Sequence, residues 1–233
     1  MITIDSLTKR RRGRPILDNV TFSVRPGSVT GFLGPNGAGK SSTLRVLLGL
    51  DRASSGTALV GGRVYRDLRR PLRHVGSLLD GAAAHPSRTG RQHLRWMAVT
   101  NQLPSGRVDE VLDQVGLAHA AGKRVSTYSV GMSQRLGIAA ALLGSPEVLV
   151  LDEPTNGLDP DGIVWLRTLV RSHADHGGTV LLSSHLMSEV AAVADDLVVI
   201  AQGRVTATGS LAEVTRGYGS VEDAFFALTR ADR

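Results

Sequence analysis

Eight consecutive residues, Gly34-Pro35-Asn36-Gly37-Ala38-Gly39-Lys40-Ser41, restrict what this chain can become more than any other stretch. They follow a short apolar run, SVTGFLG (28–34), and open KSSTLRVLLGL (40–50), where Leu44, Val46, Leu47 and Leu48 make one wide helical stripe. A strand that passes through a glycine loop into a helix points successive backbone N–H groups at one spot. That spot lies at the positive end of the helix, so it favours phosphate oxygens. Lys40 is placed to reach the β- and γ-phosphates, and the Ser41 hydroxyl to ligate Mg²⁺. With 27 Gly in 233 residues, the G-x-x-x-x-G-K-[ST] pattern has a chance expectation of about 0.006. The run from Gly34 to Ser42 is therefore read as a nucleotide-binding loop.

The rest of the chain supplies a setting for that loop. MITIDSL and ILDNVTFSV read as strands, the second closed by Arg25-Pro26-Gly27. Strand signals vanish from about Asp80 to Leu143, where 91–102, 107–115 and 133–143 have helical spacing. Strands return with EVLVLDEP (147–154), TVLLSSH (179–185) and DLVVIAQGRV (196–205), separated by helical patterns at 162–175 and 186–194. Buried strands alternating with helices predict an α/β fold with a mostly parallel sheet covered on both faces. Residues 80–144 form a helical insertion into it.

The strand Val148–Leu151 ends in two adjacent carboxylates, Asp152 and Glu153. Side chains alternate along a strand, so the two face different ways at its end. Asp152 suits the Mg²⁺ shell, and Glu153 suits a general base that polarises the attacking water. His185, at the end of TVLLSSH, is a candidate partner of the γ-phosphate; a histidine at a strand end also has a purely structural reading.

Composition removes several classes. No cysteine is present, which excludes a disulfide scaffold, a thiol nucleophile and Cys-ligated metal sites. No segment reaches the ~18–20 unbroken apolar residues of a membrane span. The longest run, LGIAAALLG, stops at Ser145-Pro146-Glu147. The N-terminal charges follow rather than precede the apolar residues, unlike a signal peptide. A net charge of +6 invites a nucleic-acid partner, but only 4% of residues are aromatic, too few for an evident base-stacking surface. Solvated arginines explain the charge, and no nucleic-acid partner is expected.

The ordered set GPNGAGKSS, YSVGMSQR, VLVLDEPTNGLD and SSH resembles the ATP-binding subunit of an ABC transporter over nearly the whole chain. The most family-specific piece, Tyr128 to Arg135, is similar to the LSGGQ-type signature. The resemblance implies a P-loop NTPase fold and a single ABC-type nucleotide-binding domain over 1–233. Its core at 1–79 and 145–233 would include an N-terminal antiparallel β subdomain, and 80–144 would be the helical signature subdomain. It implies head-to-tail pairing of two copies, with each ATP between the phosphate loop of one and Ser129, Val130, Gly131 and Met132 of the other. By the same resemblance Asp159 belongs to a loop that crosses this interface, and Lys40, Glu153 and His185 are the catalytic set.

Three positions depart from the family pattern. Asp80 stands where a glutamine is usual and would join Ser41 and Asp152 near Mg²⁺. Arg11 stands where an aromatic stacks on adenine, a role a guanidinium can also take. Val130 and Met132 replace the usual Gly and Gln of the signature. Taken together, the resemblance implies an ATP hydrolase with Mg²⁺ that drives separate transmembrane permease subunits. It would be cytoplasmic and peripheral on the inner face of the cell membrane, like the ATPases of bacterial drug and antibiotic exporters for daunorubicin or bacitracin. A soluble ATPase acting on ribosomes or DNA ranks behind this, because such proteins usually carry two nucleotide domains or long insertions. A non-catalytic nucleotide sensor is disfavoured by the presence of Lys40, Asp152, Glu153 and His185 together.

Overall fold

The computed structural model describes residues 1–79, 83–185 and 187–230. In chain order the strands are β1 (Ile2–Arg11), β2 (Arg14–Val24), β3 (Ser28–Leu33), β4 (Ser55–Val60), β5 (Val75–Leu78), β6 (Val148–Asp152), β7 (Thr179–Ser184), β8 (Asp196–Ala201) and β9 (Arg204–Ser210). The α-helices are α1 (Lys40–Leu47), α2 (Gly90–Thr100), α3 (Arg107–Gln114), α4 (Val130–Leu142), α5 (Pro160–Asp175), α6 (Met187–Ala191), α7 (Leu211–Val214) and α8 (Val221–Arg230). The chain divides into two compact units, Met1–Leu68 with Leu169–Arg233, and Arg69–Thr168. The helical stretch expected at 80–144 falls within the second, which also holds β5, β6 and the first part of α5.

In the first unit, β1 pairs antiparallel with β2 on one side and β4 on the other. The β1–β2 hairpin turns at Arg12 (φ 51°) and Gly13 (φ 79°), a pair of left-handed residues that matches the twist of the flanking strands. A second sheet carries β7, β3 and β8 in parallel, and β9 runs antiparallel to β8. All six residues of β3 are buried, as a central parallel strand covered on both faces requires. Helix α1 leaves this strand through the glycine loop and buries Leu44, Val46 and Leu47.

Two expectations change here. The run 196–205 is not one strand: it breaks at Gln202 (φ 49°) and Gly203 (φ 81°) into the β8–β9 hairpin. The Gln-Gly pair supplies the turn that the apolar run conceals. Strand β4 is also new, because SGTALV alternates too weakly to stand out.

In the second unit, β5 runs parallel to β6, from Val75↔Val148 to Leu78↔Leu151. Helix α4 lies close against β5. A Cβ on Gly76 would stand 2.0 Å from the Ala141 carbonyl oxygen, so only glycine admits this packing. Helix α2 starts with a capping box between Thr89 and Gln92, which satisfies two of its otherwise orphaned N–H groups. At the C-terminal end of α4, the Leu142 carbonyl accepts from Ser145 N at 3.0 Å and from Arg107 Nη2 at 3.1 Å. His93 of α2 is buried, and its two ring nitrogens find no hydrogen-bond partner among the described residues. Burial, reinforced by Arg88, holds this imidazole below its ordinary titration range. No helix among the described residues is long and apolar enough to cross a membrane.

Candidate nucleotide site

The phosphate-loop residues belong to the first unit, and backbone packing shapes them. Gly34 sits over β8: a Cβ there would meet the Ile200 carbonyl oxygen at 2.4 Å. Gly39 is the N-cap of α1 with φ 114°, a conformation that carries no strain only for glycine. Its missing Cβ would also press on Leu17 Cδ2 at 2.7 Å. Two hydrogen bonds fix the loop from inside and outside: Ala38 N to Pro35 O at 3.1 Å, and Gly203 N to Ala38 O at 2.9 Å. The hydroxyl of Thr43 closes the first turn of α1 on the Gly39 carbonyl at 3.0 Å.

Lys40 is buried and folds back over the loop, its Nζ donating to the Gly34 carbonyl at 2.6 Å. A buried ammonium lying against the loop is chemically suited to an anion bound there. Pro35, Asn36, Gly37 and Ser41 are exposed, while Ala38 and Gly39 are buried beneath them. The Ser41 hydroxyl is therefore open to a ligand. Arg11 is exposed on the β1–β2 hairpin, opposite Arg14, and His185 is exposed just beyond the end of β7.

The remaining site residues belong to the second unit. Asp152 is the last residue of β6 and is 8% exposed. Glu153 follows it in a left-handed conformation (φ 48°), an uncommon state for a residue with a side chain. The chain then turns tightly, with Asn156 N on Glu153 O at 3.2 Å and Leu158 N on Thr155 O at 3.0 Å. Asp159 caps α5: its Oδ1 accepts from Gly162 N at 2.8 Å, and Pro160 fills the first helical position.

The signature differs from expectation in one respect. Helix α4 begins at Val130, not at Ser133, so Val130, Gly131 and Met132 form its first turn. Ser129 is the N-cap and accepts from Met132 N at 3.2 Å. Val and Gly are poor helix formers, which hid the true start from the periodicity. Val130 is 71% exposed, and its Cγ1 lies 2.3 Å from where a Cβ on Gly157 would be. Arg135 spreads its guanidinium over the Trp165 ring at 4.5 Å and donates to Val115 O at 3.0 Å.

Sequence reasoning missed Gln134. This residue of α4 is 7% exposed, and its Nε2 donates to the carbonyls of Pro154 (2.9 Å) and Glu153 (3.3 Å). No spacing rule announces a contact between positions this far apart in the chain. Asp80 lies outside the described residues.

Taken singly, the exposed Ser41 hydroxyl and the Asp152 carboxylate each offer a hard oxygen of the chemistry that Mg²⁺ takes. Among the described residues no cluster of three or more His, Cys, Asp or Glu could hold a metal on its own.

A family model described as ABC transporter matches residues 17–156. The bacitracin transport ATP-binding protein of Bacillus licheniformis is 40% identical over 208 residues, 88% of this chain and 68% of its own length. The daunorubicin resistance ATP-binding protein of Streptomyces coeruleorubidus is 40% identical over 218 residues, 91% of this chain and 69% of its own. A solved ATP-binding subunit of an ABC transporter superposes with a TM-score of 0.89 at 26% identity, covering 98% of this chain and 99% of that one. The phosphate loop, the paired carboxylates after β6 and the capped signature helix, in this order and on this fold, make the chain a member of the ABC transporter family, an ATP-binding subunit with ATP hydrolase chemistry.

Proposed function

We propose that this subunit binds and hydrolyses MgATP to drive export of antibiotic or drug-like molecules through separate transmembrane permease subunits. The observation that supports this reading is a glycine loop with the buried Lys40 folded over it, accompanied in one chain by a signature helix whose capped N-terminus is exposed at Ser129 and Val130. The relatives named for bacitracin transport and daunorubicin resistance support the substrate class. The phosphate loop from Gly34 to Ser42 holds the triphosphate. Lys40 leaves the Gly34 carbonyl to neutralise the β- and γ-phosphate charge, and Arg11 stacks on the base. Mg²⁺, held by Ser41 and Asp152, would supply charge neutralisation across the phosphates.

Glu153 takes the role of general base toward the attacking water, and His185 contacts the γ-phosphate. The N–H groups at the start of α4 present an anion-binding helix terminus. In a head-to-tail homodimer, Ser129, Val130, Gly131 and Met132 would meet the partner's ATP, with Asp159 at the interface. ATP binding closes this dimer, and hydrolysis reopens it. The protein works at the inner face of the cell membrane through its permease.

Glu153→Gln should retain MgATP and accumulate a dimer on size exclusion with light scattering. A variant that holds ATP and stays monomeric contradicts the sandwich. Affinity capture of tagged protein from gently solubilised native membranes, followed by mass spectrometry, should return a polytopic membrane protein in near-equal amount. Recovery of ribosomal proteins or DNA-bound factors instead would move the assignment to a soluble ATPase.

A further inference from the structure

Gln134 stands apart from every other residue near the carboxylates, because it is buried, polar and belongs to the signature helix rather than to the strand that carries Asp152 and Glu153. Its amide nitrogen faces two carbonyl oxygens, those of Glu153 at 3.3 Å and Pro154 at 2.9 Å. Both partners can only accept, so the orientation of the carboxamide is fixed: its Nε2 faces the carbonyls of two successive peptides, Glu153–Pro154 and Pro154–Thr155. The residue gripped is the one in the left-handed conformation, Glu153 at φ 48°. Such a state persists only where the surroundings hold it.

The same face of α4 touches this segment a second time. Val130 precedes Gln134 by four residues and therefore lies one turn below it on the same side. Its Cγ1 occupies the space beside Gly157, where a Cβ would stand 2.3 Å away. One helix face thus contacts the turn after β6 at Gln134 and at Val130. The same helix has at its N-terminus the cap, Ser129, and the open N–H groups of the signature.

We propose that Gln134 is a positioning residue for ATP hydrolysis: its carboxamide clamps the backbone of Glu153 and so sets the direction of that carboxylate according to where the signature helix stands. The proposal rests on the assignment of Glu153 as general base. Gln134 acts through the two carbonyls. A displacement of the signature end of α4 is passed to the base of the same chain, and hydrolysis becomes sensitive to engagement of the signature.

Gln134→Met keeps the length of the side chain and removes both N–H groups. Steady-state ATPase kinetics of the full-length chain are compared with the dissociation constant for MgATP from calorimetry and with the thermal midpoint. The expected result is a fall in kcat of at least about tenfold, the scale on which small misplacements of a reacting group are felt, with MgATP affinity within about twofold of the parent. A smaller loss in kcat overturns the proposal, and so does a loss of affinity that parallels the loss in kcat, which would mark a merely structural residue. If Gln134→Met unfolds below the assay temperature, Gln134→Asn, which keeps the amide but falls one methylene short, should show the same split between kcat and affinity. Glu153→Gln is measured alongside. If it turns over like the parent, the base assignment fails by itself; if it is inactive while Gln134→Met is normal, only the clamp fails.

Discussion

In the proposed function the phosphate loop and the turn after β6 both present groups to phosphate chemistry, yet they are held in place by different means. The loop is held by backbone. Its glycines admit the Ile200 carbonyl and Leu17 where a side chain cannot fit, and main-chain bonds from Ala38 and Gly203 close it. The turn that carries Glu153 adds to its two main-chain bonds the grip of side chains from elsewhere in its unit, Gln134 on two carbonyls and Val130 against Gly157. A backbone-built cradle fails abruptly when atoms are added to it. A side-chain-built one degrades by steps when its clamps are removed.

Four substitutions separate the two regimes, and a fifth, at His93, lies outside both. The largest effect is expected from Lys40→Ala, which removes the buried ammonium and should abolish measurable MgATP binding in calorimetry; unaltered affinity would remove the phosphate-loop reading. Next comes Gly34→Ala, whose added methyl has 2.4 Å to the Ile200 carbonyl oxygen. Overpacking of this kind costs about 1–3 kcal/mol and should lower the thermal midpoint by several degrees together with nucleotide affinity. A Gly34→Ala protein with parent affinity and midpoint would show that the loop yields more than backbone contacts permit.

In the other region Gly157→Ala should cost less, about 1–2 kcal/mol by urea unfolding, because its obstacle is one exposed valine as well as a φ of 77°. Adding Val130→Gly should return the part due to the clash and leave the part due to φ. Full additivity of the two changes would show that Val130 and Gly157 do not touch in solution.

The smallest effect is set by His93. Its imidazole is held below its ordinary range, so the folded chain stays neutral while the unfolded chain takes a proton as pH falls below about 6.5. Stability is therefore lost over the window from about 6.5 down to the depressed folded value, and is unaffected by this group at higher pH. His93→Leu removes both the buried unsatisfied nitrogens and this window. Urea midpoints at pH 8 and 5.5 should show a gain of about 1 kcal/mol that is larger at the lower pH. An equal gain at both values would discount titration.

What could be read from the residues follows the same division. The loop was legible because its physics is local: glycine, lysine and serine act at fixed spacing after a strand. The ends of β6 and β7 were legible for a similar reason, since an apolar run of strand length stops at Asp152-Glu153 or at His185. The start of α4 was misjudged by three residues because Val130 and Gly131 carry no helical signal, and the cap at Ser129 is visible only once Met132 N is seen to donate to it. The hairpin inside 196–205 was hidden by burial of β8, which looks apolar whether or not the chain reverses at Gln202-Gly203. Gln134 was out of reach altogether. Its partners are main-chain oxygens in another element, and a tertiary contact of that kind leaves no pattern in the sequence.

The cap at Ser129 has a consequence of its own. A hydroxyl owns one proton and two lone pairs, and the bond from Met132 N engages a lone pair. The proton is left over, and the side chain is exposed at the mouth of the helix. Serine at this position can thus be an acceptor toward its own helix and a donor toward an incoming oxyanion in the same rotamer. Aspartate would cap the helix as well, but its carboxylate would have no proton to offer and would repel the anion. Threonine keeps both functions on one atom and asparagine divides them between Oδ1 and Nδ2, so only aspartate among the good caps is excluded by the second function.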